Sequence, residues 1–274
     1  VGEPSDAPIR RHLTRRQWLG LGLAGAGALA WGLRPDADRP QIRRVPLAVE
    51  RWDIGPRRIA FLADLHINQV IDRDRAYAAV ELVRQESPDL ILLGGDYLDR
   101  SPWWRLRFVE QFLVRLQEVG VPMAAVLGNH DYAGQDVYRL VASFQRLGIP
   151  LLVNQSLDVA GVRVLGMDDA LYGEPSVPKG AYDRNTLALL HEPDFVDLVP
   201  SGPSAVLSGH THGGQICLPF GIAPLLPPGG RRYVKGLYRV ANRPLYVTAG
   251  VGMTGIAARV QCPAEVTIFD VRAA

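Results

Sequence analysis

Residues 58–66 read RIAFLADLH, residues 89–96 read DLILLGGD, and residues 122–131 read PMAAVLGNHD. Each is a short apolar run that ends in glycine, a carboxylate, asparagine or histidine. Runs of this length without alternation suit strands buried on both faces. Helical spacing follows the first two, over Asp74–Gln85 (Ala76, Val80, Val83, with Asp72 or Asp74 as the cap) and Leu106–Val119 (Phe108, Phe112, Leu113, Leu116). A third helix is expected over Val137–Leu147. The repeated order of strand, polar loop and helix predicts an α/β fold with a mainly parallel sheet and right-handed crossovers.

The second half changes character. Leu151–Val153, Leu157–Val159 and Val162–Leu165 read as short strands, with Ala160-Gly161 as a hairpin turn. Thr186–Leu190 runs into His191, Ala205–Leu207 runs into Ser208-Gly209-His210, and Leu245–Thr248 and Val266–Val271 close the chain as strands. Glycine and proline between 213 and 230 mark a long loop of the kind that usually carries function.

Five of the six histidines fall in this pattern; only His12 lies outside it. Asp64-Leu65-His66, Gly95-Asp96, Gly128-Asn129-His130-Asp131, His191 and Gly209-His210-Thr211-His212 all sit just past apolar strands, where open α/β sheets place their ligands. Singly, the first four carry little weight: the D-x-H matches by chance, the G-D suits a helix cap, Asn129-His130 on its glycine suits a turn, and a lone His191 suits a surface or core histidine. Two histidines two apart between glycines have little structural purpose. Together these residues supply about seven mixed nitrogen and oxygen donors, a set suited to a pair of Mn, Fe or Zn ions.

The order D-x-H, G-D, G-N-H-D, H, G-H-x-H resembles the calcineurin-like metallophosphoesterases across residues 58–212. The runs Ser208-Gly-His-Thr-His-Gly-Gly-Gln-Ile, Gly236-Leu-Tyr, Pro244-Leu-Tyr-Val and Pro263-Ala-Glu-Val look more narrowly like the exported YkuE-type phosphodiesterase branch. That branch often has Ser before the first Asp, where this chain has Ala63. The resemblance implies a four-layer α/β/β/α sandwich with its metal site at the strand ends. It further implies that Asp64, His66, Asp96 and His212 hold one divalent ion, and that Asp96, Asn129, His191 and His210 hold the other. Asp96 would bridge the two. A hydroxide between the metals would attack the phosphate ester, with His130 as general acid and Asp131 orienting or supporting it.

The first thirty residues hold 4 of the 30 basic and 2 of the 28 acidic residues, which leaves 26 of each sign in the body. A neutral body gives no electrostatic footprint for nucleic acid. Residues 14–20 read TRRQWLG and lead into a mildly apolar Gly/Ala run, with Ala28-Leu29-Ala30 as a small-x-small cleavage site. This resembles a twin-arginine signal, so residues 1–33 are expected to be a signal or anchor, 34–44 a linker and 45–274 the catalytic domain. The stretch Trp18–Leu33 is shorter than the roughly 20 residues that span a bilayer. Such a leader implies the twin-arginine export machinery as a partner, and places the body in the periplasm or on the outer face of the cell membrane. Cys217 and Cys262 read as buried thiols, with a disulfide open for an exported chain.

The favoured reading is an exported two-metal phosphodiesterase. One alternative keeps the fold but acts as a UDP-2,3-diacylglucosamine-type pyrophosphatase on a lipid precursor. That substrate is cytoplasmic, whereas the leader points outward. The other alternative is a non-catalytic metal-binding scaffold, against which the retention of His130 argues. Arg259 and Gln215 are open as substrate contacts or as structural groups. Residues 217–228, CLPFGIAPLLPP, either fold their Leu218, Phe220, Ile222, Leu225 and Leu226 into the core or expose them beside the metals. In the second case the substrate is expected to be amphiphilic or lipid-linked, with a membrane surface nearby.

Overall fold

The computed structural model describes residues 39–99, 102–133 and 137–274, with scattered positions between 14 and 27. The expected signal falls almost entirely outside these residues. Among them no helix is long and apolar enough to cross a membrane.

Two sheets face each other. The first has the order β1-β11-β2-β3-β4, formed by β1 (Gln41–Val49), β2 (Arg57–Leu62), β3 (Leu90–Leu93), β4 (Met123–Ala125) and β11 (Glu265–Ala273). Strands β2, β3 and β4 run parallel, and β11 lies antiparallel to β2. The second sheet contains β5 (Gln155–Val159), β6 (Val162–Gly166), β7 (Thr186–Leu189), β8 (Ala205–Ser208), β9 (Gly236–Val240) and β10 (Arg243–Val247), in the order β5-β6-β7-β8-β10-β9. Its four central strands are parallel, and its two edges are antiparallel.

Side-chain alternation along each strand sorts the apolar runs into layers. Ile59, Phe61, Leu90, Leu92 and Phe269 point between the sheets and meet Val164, Leu187, Leu189 and Leu207. Ala60, Leu62, Ile91 and Leu93 point outward. They are covered by α1 (Val70–Glu86), α2 (Leu106–Gln117) and α4 (Val137–Arg146) through Val80, Val83, Phe112, Leu116 and Phe144. A further short helix, α3, spans Asn129–Ala133. Burial on both faces explains why these strands read as continuous apolar runs.

The α/β sandwich is as expected, although its fourth layer is thin. Over the outer face of the second sheet lie the 3₁₀ helix Pro193–Leu198 and loop side chains such as Tyr233, which pack on Val206 and Leu245. Strand β1 begins at Gln41, inside the segment read as linker. Helix α1 begins a turn earlier than expected. Asp72 caps it from within the first turn, accepting the N–H groups of Asn68 and Gln69 at 3.2 Å each. The expected strand at 151–153 reduces to one bridge between Leu151 and Ala125. The edge strand β9 was not foreseen, because its half-buried alternation is short and starts at a glycine.

Candidate metal centre

All seven expected ligands converge where the strand ends of the two sheets meet. Asp64, His66, Asp96, His191, His210 and His212 are buried. Asp64, His66 and His212 offer ligand atoms that lie within 4.8 Å of one another, and so do Asp96, His191 and His210. Asp96 Oδ2 lies 3.5 Å from His66 Nε2 of the first group and 3.2 Å from His191 Nε2 of its own. Asn129 Oδ1 lies 2.9 Å from His210 Nδ1.

Backbone groups fix the direction of each side chain. His130 N–H donates to Asp96 Oδ1 at 2.8 Å, which leaves Oδ2 for the histidines. His210 N–H donates to Asp64 Oδ1 at 2.8 Å. His191 Nδ1 lies 2.7 Å from the Gly94 carbonyl, and His210 Nε2 lies 2.8 Å from the Pro228 carbonyl. A carbonyl can only accept, so these nitrogens carry the protons. The lone pairs of His191 Nε2 and His210 Nδ1 then face the oxygens of Asp96 and Asn129. Such second partners usually set the tautomer of a metal-binding histidine.

Acceptors facing acceptors in a buried site call for a cation. Asp64 Oδ2 and His191 Nε2 are buried without a hydrogen-bond partner, and His66 Nε2 and His212 Nε2 face each other at 3.0 Å. Burial pushes His66 and His210 down to about 4, and His212 well below its ordinary value. These rings are therefore neutral and able to donate a lone pair. Burial alone would raise Asp96, but the charge and hydrogen bond of His191 outweigh it and hold this carboxyl well below its usual range. Burial opposes charge on His191 as well, yet the Asp96 carboxylate raises its pKa well above the ordinary value. The site thus draws positive charge to the space between His191 and Asp96, either as a proton or as a metal ion. The donor set and its unpartnered atoms fit two divalent ions.

The backbone here is strained. Asp64 (φ 55°), His66 (φ 44°), Asp96 (φ 59°), His210 (φ 74°) and His212 (φ 52°) all take the left-handed conformation, which is uncommon for residues other than glycine and clusters at functional sites. Glycine makes the crowding possible. A Cβ on Gly128 would lie 2.7 Å from His191 Cε1, and one on Gly250 would lie 2.6 Å from Asp64 Cβ.

His130 stands at the open side, its ring 4.8 Å from that of His66. Its orienting partner is not Asp131. Asp131 is buried and accepts the N–H groups of Asp96, Tyr97 and Gly128 at 2.9 Å each and of Leu98 at 3.3 Å, which ties the Asp96 loop to the Asn129 turn. A carboxylate taken up by four backbone donors has no capacity left for the neighbouring ring. Asp99 fills that role, with Oδ1 2.7 Å from His130 Nδ1. This hydrogen bond and the charges of Asp96 and Asp99 outweigh the opposing effect of burial and raise the pKa of His130. Asp99 was missed, although it lies three residues past Asp96 on the same loop, which was the available signal.

The open assignments of Arg259 and Gln215 resolve as structural. Arg259 is 1% exposed and donates to the carbonyls of His212, Ala249, Gly250, Gly252 and Cys262. The Gln215 amide donates to the carbonyls of Thr254 and Ile256. Cys217 and Cys262 are buried free thiols, each 3.3 Å from the Gly213 carbonyl.

The family profile described as calcineurin-like phosphoesterase matches residues 57–214, which span every one of these ligands. The chain belongs to the calcineurin-like phosphoesterase family. Among curated relatives it is 33% identical to phosphodiesterase YaeI of Escherichia coli (strain K12), over 84% of this chain and 87% of the relative. It is 26% identical to the uncharacterized metallophosphoesterase YkuE of Bacillus subtilis (strain 168), over 96% and 99% of the two chains. Membership of the calcineurin-like family makes the chain a metal-dependent phosphoric ester hydrolase, and the YkuE-type resemblance holds along nearly its whole length.

Proposed function

We propose that this protein is an exported two-metal phosphodiesterase. The observation that carries the metal-dependent chemistry is the pair of backbone carbonyls that turn the lone pairs of His191 and His210 toward Asp96 and Asn129. Asp64, His66, Asp96 and His212 would hold one ion, and Asp96, Asn129, His191 and His210 the other. When bound, such ions supply Lewis-acid neutralisation of phosphate charge and an activated water. The chain's own part is to hold the phosphate beside His130. Its ring, oriented by Asp99 and with its pKa raised by Asp99 and Asp96 against burial, can bind a phosphate oxygen and pass a proton to the leaving alkoxide. Asp131 holds the two loops together through four backbone N–H groups, and its carboxylate makes no hydrogen bond to the His130 ring. The diester preference is supported by the likeness to YaeI, and export by the paired arginines of the leader.

A second reading, a pyrophosphatase acting on a lipid-linked nucleotide, is favoured by the exposed apolar side chains beside the ligands. Leu218, Phe220, Ile222 and Leu225 did not fold into the core. The test is an assay of the full chain against a soluble activated diester, a monoester and a pyrophosphate, before and after chelation. We expect diester turnover that chelator abolishes and Mn restores. Undiminished turnover by metal-free protein overturns the mechanism, and turnover of the pyrophosphate alone selects the second reading.

A further inference from the structure

The loop 215–230 leaves the metal ligands and comes back to them. It departs from the 3₁₀ turn His212–Gly214, and it returns at Pro228, whose carbonyl holds His210 Nε2 at 2.8 Å. Between these anchors Leu218 N–H donates to Ile222 O at 2.8 Å, closing a tight hairpin with Phe220 at its tip. Phe220 is 99% exposed and left-handed, with φ 66° and ψ 18°. An aromatic residue in a conformation suited to glycine, and wholly in water, is disfavoured on both counts. Folding alone does not account for it. Leu225 (70%), Ile222 (57%) and Leu218 (49%) are exposed on the same loop. Ile256 (55%) joins them from a segment that Gln215 ties to it through Thr254 and Ile256 carbonyls.

The chain's own route says what covers this rim. Gln41 N–H donates to Ala264 O, Glu265 N–H donates to Gly250 O, and Gly250 packs on Asp64. Strand β1 therefore begins on the metal-site face, and everything upstream of Gln41 joins the body there. The apolar run 18–33 lies only a few residues upstream. Arg43, Arg231 and Lys235 are exposed around the same face, while Arg232 is engaged by Asp197. Exposed apolar side chains edged by basic ones are the pattern of a surface that sits in the headgroup region of an anionic bilayer.

We propose that the 215–230 hairpin, with Ile256, is a docking rim that seats the metal-site face on an anionic lipid bilayer, so that the enzyme draws its phosphodiester from the membrane surface. The substrate part rests on the diesterase reading; the docking does not. The test is hydrogen exchange on the full chain, with and without vesicles of phosphatidylglycerol and phosphatidylethanolamine. Because the leader can bind lipid by itself, the readout is local. Peptides covering 216–226 and 253–258 should exchange more slowly with vesicles, and those of α2, whose Val114 is also exposed, should not change. Phosphatidylcholine vesicles should protect less.

Phe220→Ser/Leu225→Ser should lose the local protection while keeping the wild-type thermal midpoint and metal content. If that variant misfolds, protection of the wild type alone decides the matter. Absent protection overturns the docking, as does protection that survives in the folded variant. Protection that rises with protein concentration in the absence of lipid would assign the rim to a second copy, and equally overturns it. Local protection in a protein inert on every diester would sink the diesterase reading and leave the docking standing. Diester turnover without protection would do the reverse.

Discussion

The two sheets bring different chemistry to one centre. Loops of the first sheet supply Asp64, His66, Asp96 and Asn129, mostly oxygen donors, together with the His130–Asp99 pair. Loops of the second supply His191, His210 and His212, imidazoles only. Their backing differs as well. Three α-helices cover the first sheet, whereas a 3₁₀ helix and loops cover the second. Neither sheet holds a complete set of ligands for either ion. The centre exists only because Phe61, Leu92, Leu187 and Leu207 pack the sheets together. The first side fixes charge through rigid strand ends. The second fixes the lone-pair direction of His191 and His210 through single backbone carbonyls.

The strongest way to break this comparison is at the residue both sides share. Asp96→Asn should remove both ions and reduce turnover to background, because Asp96 Oδ2 reaches His66 on one side and His191 on the other. Asn129→Ala should weaken only the ion on the His210 side. Metal content measured on both variants, each folded by circular dichroism, checks this. Equal loss from the two would mean that the ions are not separately held.

The second prediction stays within the first sheet and separates holding metal from moving a proton. His130→Ala should keep both ions and lower kcat by roughly 10²–10⁴, the range for a positioned acid–base group. Asp99→Asn keeps the shape but not the charge, and should cost about 10–100-fold. Steady-state kinetics with metal analysis decides it. If His130→Ala empties the site, its ring is a ligand, as its closeness to His66 and Asp99 would then require.

The first side was the more legible in the sequence, for a physical reason. A buried parallel strand must be apolar throughout, so a carboxylate or asparagine at its end stands out, as at Asp64, Asp96 and Asn129. His210 and His212 were legible because their doublet stands between glycines. Asp131 was misread because adjacency to His130 in sequence implies nothing about contact at a turn, where successive side chains diverge. What supports the second side was hidden, because it is made by backbone. Nothing in the letters of Gly94 or Pro228 announces that their carbonyls set two tautomers. The exposure of Phe220 was equally hidden, since an apolar loop residue reads the same whether it is buried or bare.

Arg259 gives the smallest expected effect, and it tests whether the second side really depends on backbone. Its guanidinium serves five carbonyls, among them that of His212 and those of Ala249, Gly250 and Gly252 in the loop that packs on Asp64. Burial lowers the Arg259 pKa, and no carboxylate hydrogen-bonds to it among the described contacts, so carbonyl dipoles, with a long contact to the Cys262 sulfur at 4.0 Å, solvate this charge. Arg259→Met keeps most of the volume and removes every donor. Buried carbonyls left without partners cost about 1–3 kcal/mol each when none can relax. Water and small shifts will satisfy some of them, so a net loss of about 2–4 kcal/mol in urea unfolding is expected. The distinguishing readout is metal affinity. The ion on the His212 side should bind about 10-fold more weakly, and the ion on the His191 side should change little, because the Gly94 carbonyl holds that ring independently. Equal weakening of the two ions would mean that the left-handed turn carrying His210 and His212 moves as one piece, and that the second sheet's ligands are set by the turn rather than by their separate carbonyl contacts.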